Sequence, residues 1–185
     1  NPQYYFINVS LYQGGNSSGW YAAFGVYSAF QNGTARSTAT QSVKNQVDTW
    51  KNTVNSLSSE AEKVKMIHDL IVQKVDYNTD IYGNSFNEDT AYTQSVYSVF
   101  CMDKTVCAGY AQAFEMMCNG VGVDCIAVTS DDHEWNKVRI NDSWYNVDCT
   151  WADQSTIDYE YFERSDAVYD ADLASYASSH AEESY

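Results

Sequence analysis

Apolar residues recur through the middle of the chain at helical spacing. Val43, Val47, Trp50, Val54 and Leu57 follow one another at intervals of four and three, which places them on one helix face. A second stripe, Val64, Ile67, Ile71 and Val75, begins just after Ser59, with Glu62 placed to complete a capping box. His68 lies beside this stripe and reads as a structural histidine. Asp76-Tyr77-Asn78-Thr79-Asp80 ends the helix with turn-forming residues, and 81–93 reads as an exposed loop. Ser95 to Phe100 leads into a third helix, headed by Cys107, that runs through Phe114, Met117 and Cys118 to Gly120 or Gly122.

Beyond that glycine pair the period shortens to two. Val123, Cys125, Ala127 and Thr129 begin one strand, and His133 to Ile140 form a second. Asn141-Asp142 makes a tight turn, and Trp144 to Trp151 reads as the returning strand. Pairing about that turn sets residue 133 near 150, so the His133 and Asp148 side chains converge on one face. A short helix around Tyr159–Arg164 and another at 170–180 follow. Helices followed by antiparallel strands define an α+β class.

Upstream, residues 3–30 are rich in aromatics, with a strand around 4–12, a loop at Gly14–Gly19 and a segment of unassigned type at 20–30. These aromatics read as core, or as an interface with a neighbouring domain, in preference to a carbohydrate platform. The polar run Gln31–Gln41 reads as a loop or junction. The expected division is an N-terminal aromatic-rich extension, 1–41, and a main domain, 42–185.

At 185 residues the chain is most simply one domain, large enough for a real core, and no apolar run has transmembrane length. The chain begins Asn1-Pro2, which reads as a processed product or an excised domain. Ten basic against 25 acidic residues give a net charge of -15, which disfavours nucleic acid and anionic membrane as partners. The acidic excess reads chiefly as a solvated face. The pairs Glu60/Glu62, Glu88/Asp89 and Asp131/Asp132 lack the spacing of a calcium loop, and no metal or cofactor is expected. Asp131 and Asp132 flank His133, where they would raise its proton affinity or steer a cationic amine. Cys101, Cys107, Cys118, Cys125 and Cys149 make an odd count, compatible with one reactive thiol and with either bridges or simple buried thiols among the rest.

Cys107 at a helix head carries the chemistry. Unpaired N–H groups and the positive end of the dipole favour a thiolate there. His133 then serves as base and Asp148 as the carboxylate that orients it, a nucleophile–base–acid set for acyl transfer. The oxyanion would take the Cys107 backbone N–H. Gln94 is the first side-chain candidate for a second donor, with Tyr97 and Tyr77 behind it, and Trp135 is a further cleft candidate.

The runs Val106-Cys107-Ala108-Gly109-Tyr110-Ala111-Gln112-Ala113-Phe114, His133-Glu134-Trp135-Asn136 and Trp144-Tyr145-Asn146-Val147-Asp148-Cys149-Thr150-Trp151 resemble the bacterial transglutaminase-like superfamily. Ile67-His68-Asp69 through Asp76-Tyr77, and Tyr159-Glu160-Tyr161-Phe162 with Ser165-Asp166, resemble its flanking segments, so the likeness spans about 60–170. It implies a papain-like fold, with helices packed on an antiparallel sheet. It also implies Cys107, His133 and Asp148 as nucleophile, base and orienting acid. The implied reaction is acyl transfer on protein or peptide amides through a thioester, with a peptidase or amidase ahead of a glutamine–amine cross-linking transglutaminase. A catalytically silent adhesion or scaffold domain is the non-enzyme alternative. Two departures, Cys101 and Cys149, would be free to pair with Cys118 or Cys125 in an oxidising compartment. The resemblance further implies a secreted or cell-surface protein, with neighbouring domains in a longer chain.

Overall fold

The computed structural model describes residues 2–78 and 91–169. The readings made at 79–90 and 170–180 lie outside the described residues. The chain opens with a hairpin of β1 (Ile7–Asn16) and β2 (Gly19–Val26), followed by the long helix α1 (Gly33–Val54) and then α2 (Glu60–Val72). Next come the two-residue strands β3 (Asp76–Tyr77) and β4 (Lys104–Thr105), which pair in parallel on either side of α3 (Val96–Cys101). Helix α4 (Cys107–Gly120) leads into β5 (Cys125–Thr129), β6 (Glu134–Ile140) and β7 (Ser143–Val147), an antiparallel sheet in sequential order. The four-residue helix α5 (Cys149–Ala152) follows, then a 3-10 turn, Tyr159–Tyr161.

Helix α4 is central. It contacts α2, α3 and α5 as well as β5 and β6, so the helices pack against the sheet as an α+β fold requires. Tyr110, Ala113, Phe114, Met117 and Cys118 of α4 are buried in one cluster with Val64, Ile67 and Ile71 of α2. Each such aliphatic or aromatic side chain contributes about 1.5–3 kcal/mol on burial, which fixes α4 against its neighbours.

Helix α2 starts as its sequence directs. Ser59 Oγ accepts from the Glu62 N–H at 3.2 Å, and the Glu62 carboxylate accepts from the Ser59 N–H at 3.1 Å. Helix α1 differs from expectation, since residues 33–41 of the polar run are its first turns rather than a loop. Asn32 is the reason: its side-chain oxygen accepts from the N–H groups of Thr34 and Ala35, an N-cap that period counting does not register. Boundary 41/42 falls within α1, and Tyr5 and Phe30 sit in the same buried cluster as Phe114.

The hairpin also runs past its expected end, because Gly14, Gly15 and Asn16 pair with Tyr21, Trp20 and Gly19. Glycine permits this by lying under rings. A Cβ on Gly14 would sit 2.4 Å from the Tyr21 hydroxyl, and one on Gly15 would sit 3.0 Å from the Trp20 ring. Of the aromatics read as core or interface, Tyr5 and Phe30 are buried, while Tyr12, Tyr21, Phe24 and the 89%-exposed Trp20 face solvent.

The β6–β7 turn is the tight one expected, with Asn141 and Asp142 both left-handed at φ 49 and 66°. The returning strand stops at Val147 instead of Trp151. Asp148 turns the chain by capping α5, its Oδ1 accepting from Thr150 N at 2.9 Å and Trp151 N at 3.1 Å. Residues 166–169 are helical, and an isolated bridge between Asn146 and Arg164 lays the preceding segment alongside β7. All five cysteines are free thiols, with Cys118, Cys125 and Cys149 buried.

Candidate active site

Cys107 is the first residue of α4. The preceding Val106 is extended and supplies no side-chain cap, so no side-chain oxygen competes for the first N–H groups of the helix. This end is seated by Gly109. A Cβ there would lie 1.9 Å from Thr105 Oγ1 and 3.0 Å from Ser98 Oγ, two buried hydroxyls 2.6 Å apart beside the Thr93 carbonyl. Glycine thus lets α4 close on α3 and β4, directly behind the thiol.

His133 stands just before β6 and Asp148 just after β7, and the β6–β7 register brings them together. His133 Nε2 donates to Asp148 Oδ2 at 2.7 Å, and the Cys107 sulfur acts on the same imidazole, raising its proton affinity. The side chains of His133 and Asp148 are 8% and 0% exposed. Burial pulls the imidazole towards neutrality, but the charge and hydrogen bond of Asp148, reinforced by Cys107, outweigh it and raise His133 to about 10. The imidazole is therefore protonated at neutral pH.

Aromatic rings enclose this pair. The His133 ring stacks on Trp135 at 5.8 Å and 16°, and on Trp151 at 5.0 Å and 8°. Tyr169 stacks on the same two indoles, at 5.3 and 5.8 Å, and its hydroxyl donates to Asp148 Oδ2 at 2.8 Å. Indole faces favour an imidazolium cation and exclude water from its partner carboxylate.

The other sequence candidates lie on separate elements. Gln94 is the exposed last residue of a short 3-10 turn, 91–94, that contacts β4 and α4. Tyr97 is spent in packing, its ring stacked on Tyr5 at 5.7 Å and set edge-on to Phe30 and Tyr92. Tyr77 pairs with Thr105, two residues before the thiol, and its N–H is held by Asp153. Trp135 is 1% exposed, donates from Nε1 to Asn146 Oδ1 and forms a floor under His133. Buried His68, Nδ1 bonded to Asp69, packs on Tyr159 and Phe162, and burial lowers its proton affinity.

Three contributors carry no sequence signal of their own. Asn136 Nδ2 donates to the Ala111 carbonyl at 3.0 Å and so ties β6 to α4. Asp153 accepts from the Tyr110 hydroxyl at 2.6 Å and the Tyr77 N–H at 2.9 Å, joining α4, β3 and the end of α5. Tyr169 arrives from far along the chain. Asn136 lies inside a recognisable motif, but nothing in its spacing marks it as a tie. Close to the site, Glu134 is raised to about 7 by burial and by the neighbouring Glu115 carboxylate, with His133 pulling the other way. Among the described residues no set of His, Cys, Asp and Glu could hold a metal ion, and no helix is long and apolar enough to cross a membrane.

Comparison with known proteins matches this arrangement of elements. A crystal structure of a TGase superposes with a TM-score of 0.55 over 95% of this chain and 50% of that one, at 13% identity, a likeness of fold. The profile of the transglutaminase-like superfamily matches residues 48–149, more than half of the chain, and the protein belongs to that superfamily. The Kyphoscoliosis peptidases of Mus musculus and Homo sapiens are each 29% identical to it over 110 residues. That match takes in 51% of this chain and 16% of each relative.

Proposed function

We propose that the protein is a cysteine-dependent acyl-transfer enzyme acting on protein or peptide amides, most readily as a peptidase or amidase, with Cys107, His133 and Asp148 as its catalytic triad. One observation carries this reading: His133 is bonded to Asp148 at 2.7 Å, and the sulfur of Cys107, first residue of α4, acts on the same imidazole. The peptidase name of the relatives at 29% identity leans the same way.

The reacting form is the Cys107 thiolate with the His133 imidazolium. The sulfur attacks the amide carbon, and the oxyanion takes the Cys107 backbone N–H, with exposed Gln94 as the side-chain donor. His133 gives its proton to the leaving nitrogen, the C–N bond breaks and a thioester remains. Neutral His133 then takes a proton from water, hydroxide adds to the thioester carbon, and collapse restores thiolate and imidazolium. Asp148 keeps the imidazole in plane throughout.

The test is mass spectrometry of wild type and Cys107→Ala on glutamine-containing peptides, with and without a primary amine. Cleavage or deamidation by wild type alone supports a hydrolase. Amine adducts from wild type alone would instead make it a cross-linking transglutaminase. No product, with a Cys107 that resists iodoacetamide in the folded protein, would replace the reading with a binding scaffold.

A further inference from the structure

The Asp148 carboxylate is held by more than the histidine it orients. Oδ1 accepts from the N–H groups of Thr150 and Trp151, and Oδ2 accepts from His133 Nε2 at 2.7 Å and from the Tyr169 hydroxyl at 2.8 Å. Tyr169 is fully buried, and its ring touches the same two indoles as the imidazole does. Donor, acceptor and base therefore form one buried unit, with the tyrosine and the histidine competing for a single oxygen.

The segment that delivers Tyr169 is anchored to the sheet on either side of that unit. Asn146 and Arg164 exchange backbone hydrogen bonds of 2.7 and 3.0 Å. Asp166 accepts from Asn146 Nδ2 at 2.8 Å and is paired with Lys137 at 3.1 Å. The Tyr169 N–H then closes a helical turn on the Ser165 carbonyl. The indole of Trp135 is tied to the same Asn146. The phenol is thus positioned by the β6–β7 hairpin itself.

A problem in the chemistry gives this geometry a purpose. A triad carboxylate that bonds only the imidazole concentrates its charge there and holds the proton. That suits the resting ion pair, but it hinders hydrolysis of the thioester, where His133 must be neutral to accept a proton from water. A second donor on the same oxygen disperses the charge.

We propose that Tyr169 is a positioning residue of the Cys107–His133–Asp148 site, whose hydroxyl shares Asp148 Oδ2 with His133 and thereby weakens the carboxylate's hold on the imidazole proton during thioester hydrolysis. The proposal rests on the triad reading above. The other groups facing the unit are Cys107 from α4, Glu134 from β6, and His68 of α2 and Cys149 of α5 beside Asp148. None of the variants below changes any of them.

Tyr169→Phe keeps the stack and removes only the hydroxyl. With it, the His133 imidazole, followed by nitrogen-15 NMR of the folded protein, is expected to titrate at higher pH than in wild type. The rate of Cys107 alkylation by iodoacetamide at neutral pH is expected to hold or rise. On a cleaved peptide, kcat is expected to fall about tenfold at pH 7, with its acid limb moved upward and KM little changed, a shift of about 1.4 kcal/mol in the barrier. A merely structural tyrosine would depress alkylation and turnover together and leave the titration in place, and that outcome overturns the proposal. Tyr169→3-fluorotyrosine, with a more acidic hydroxyl, keeps every contact and is expected to move His133 in the opposite direction. An unmoved titration there overturns the proposal even if Tyr169→Phe fails to fold. The NMR measurement needs no turnover, so failure of the triad reading shows separately, as absent product with the His133 shifts intact.

Discussion

Asn136 Nδ2 donates 3.0 Å to the carbonyl oxygen of Ala111, joining the middle of β6 to the first turns of α4. Cys107 heads the one element and His133 immediately precedes the other, so one buried amide sets the helix that carries the thiol against the strand that follows the imidazole. The same Nδ2 lies 3.3 Å from the Ile126 carbonyl, which adds β5 to the joint. Asn136→Ala is expected to cost about 1–3 kcal/mol of stability, since the amide is buried and its partners would be left unpaired. It is also expected to lower kcat/KM by about tenfold or more, because acyl transfer needs the sulfur and imidazole in register. Urea unfolding and peptide turnover measured on one preparation separate the two effects. Full turnover with reduced stability would show that the joint does not position the site.

Gly109→Ala poses a contest between two known magnitudes. In an open helix alanine would be favoured over glycine by about 1 kcal/mol. Here its Cβ would meet Thr105 Oγ1 at 1.9 Å, a buried hydroxyl already engaged with Ser98 and Thr93. Overpacking of this kind costs about 1–3 kcal/mol, so the clash wins and the variant is expected to be less stable. The displaced first turn of α4 should also slow iodoacetamide alkylation of Cys107. A stabilised Gly109→Ala would mean that α4 and β4 have more freedom to part than their packing implies.

Glu134 supplies a pH dependence with a definite sign. Burial, then Glu115, raises it to about 7 in the folded protein from its ordinary 4.5. The native state therefore binds this proton more tightly than the unfolded chain does. The resulting stability is full below about 4.5 and is lost as the pH rises through about 7. His133, raised to about 10 from 6.5, adds a loss of the same sign between those two values. Wild type is therefore expected to weaken from pH 5 to pH 8, and Glu134→Gln to remove about 1–3 kcal/mol of that decline. Urea midpoints at the two pH values test it. An equal decline in both proteins would exclude Glu134 as the source.

The part of the chain legible in sequence is the part governed by short-range rules. The apolar stripes Val43–Val54 and Val64–Ile71, the Ser59–Glu62 box and the Asn141-Asp142 turn are each set by residues a few positions apart and form as read. Leu57 and Val75, read as the last members of those stripes, lie past the ends of α1 and α2. The convergence of His133 on Asp148 was legible because one tight hairpin suffices to bring them together. What was missed depends on partners distant in the chain or on side-chain caps. Asn32 turned a polar stretch into helix, and Asp148 ended a strand that alternation carried on to Trp151. Tyr169 reaches Asp148 across 21 positions, with nothing periodic between them.

Asp148→Asn separates charge from geometry at the centre of the site. The amide oxygen can keep the α5 cap by accepting from Thr150 and Trp151, which leaves its NH2 facing His133 Nε2 and the Tyr169 hydroxyl. Two groups that donated to a carboxylate would then meet a donor. The imidazole must turn its lone pair towards the amide, which puts its remaining proton on the nitrogen facing Cys107. It also loses the charge that outweighed burial, so the folded protein should hold His133 neutral at pH 7. Thiolate and imidazolium would no longer stabilise each other, and kcat/KM is expected to fall by on the order of 10²–10⁴-fold. The unfolding midpoint should move far less than turnover does, because the cap persists. Nitrogen-15 NMR should show a neutral imidazole, and iodoacetamide should alkylate Cys107 more slowly at pH 7 than in wild type. A variant that keeps wild-type alkylation and turnover would show that Asp148 caps α5 and does nothing for the thiol.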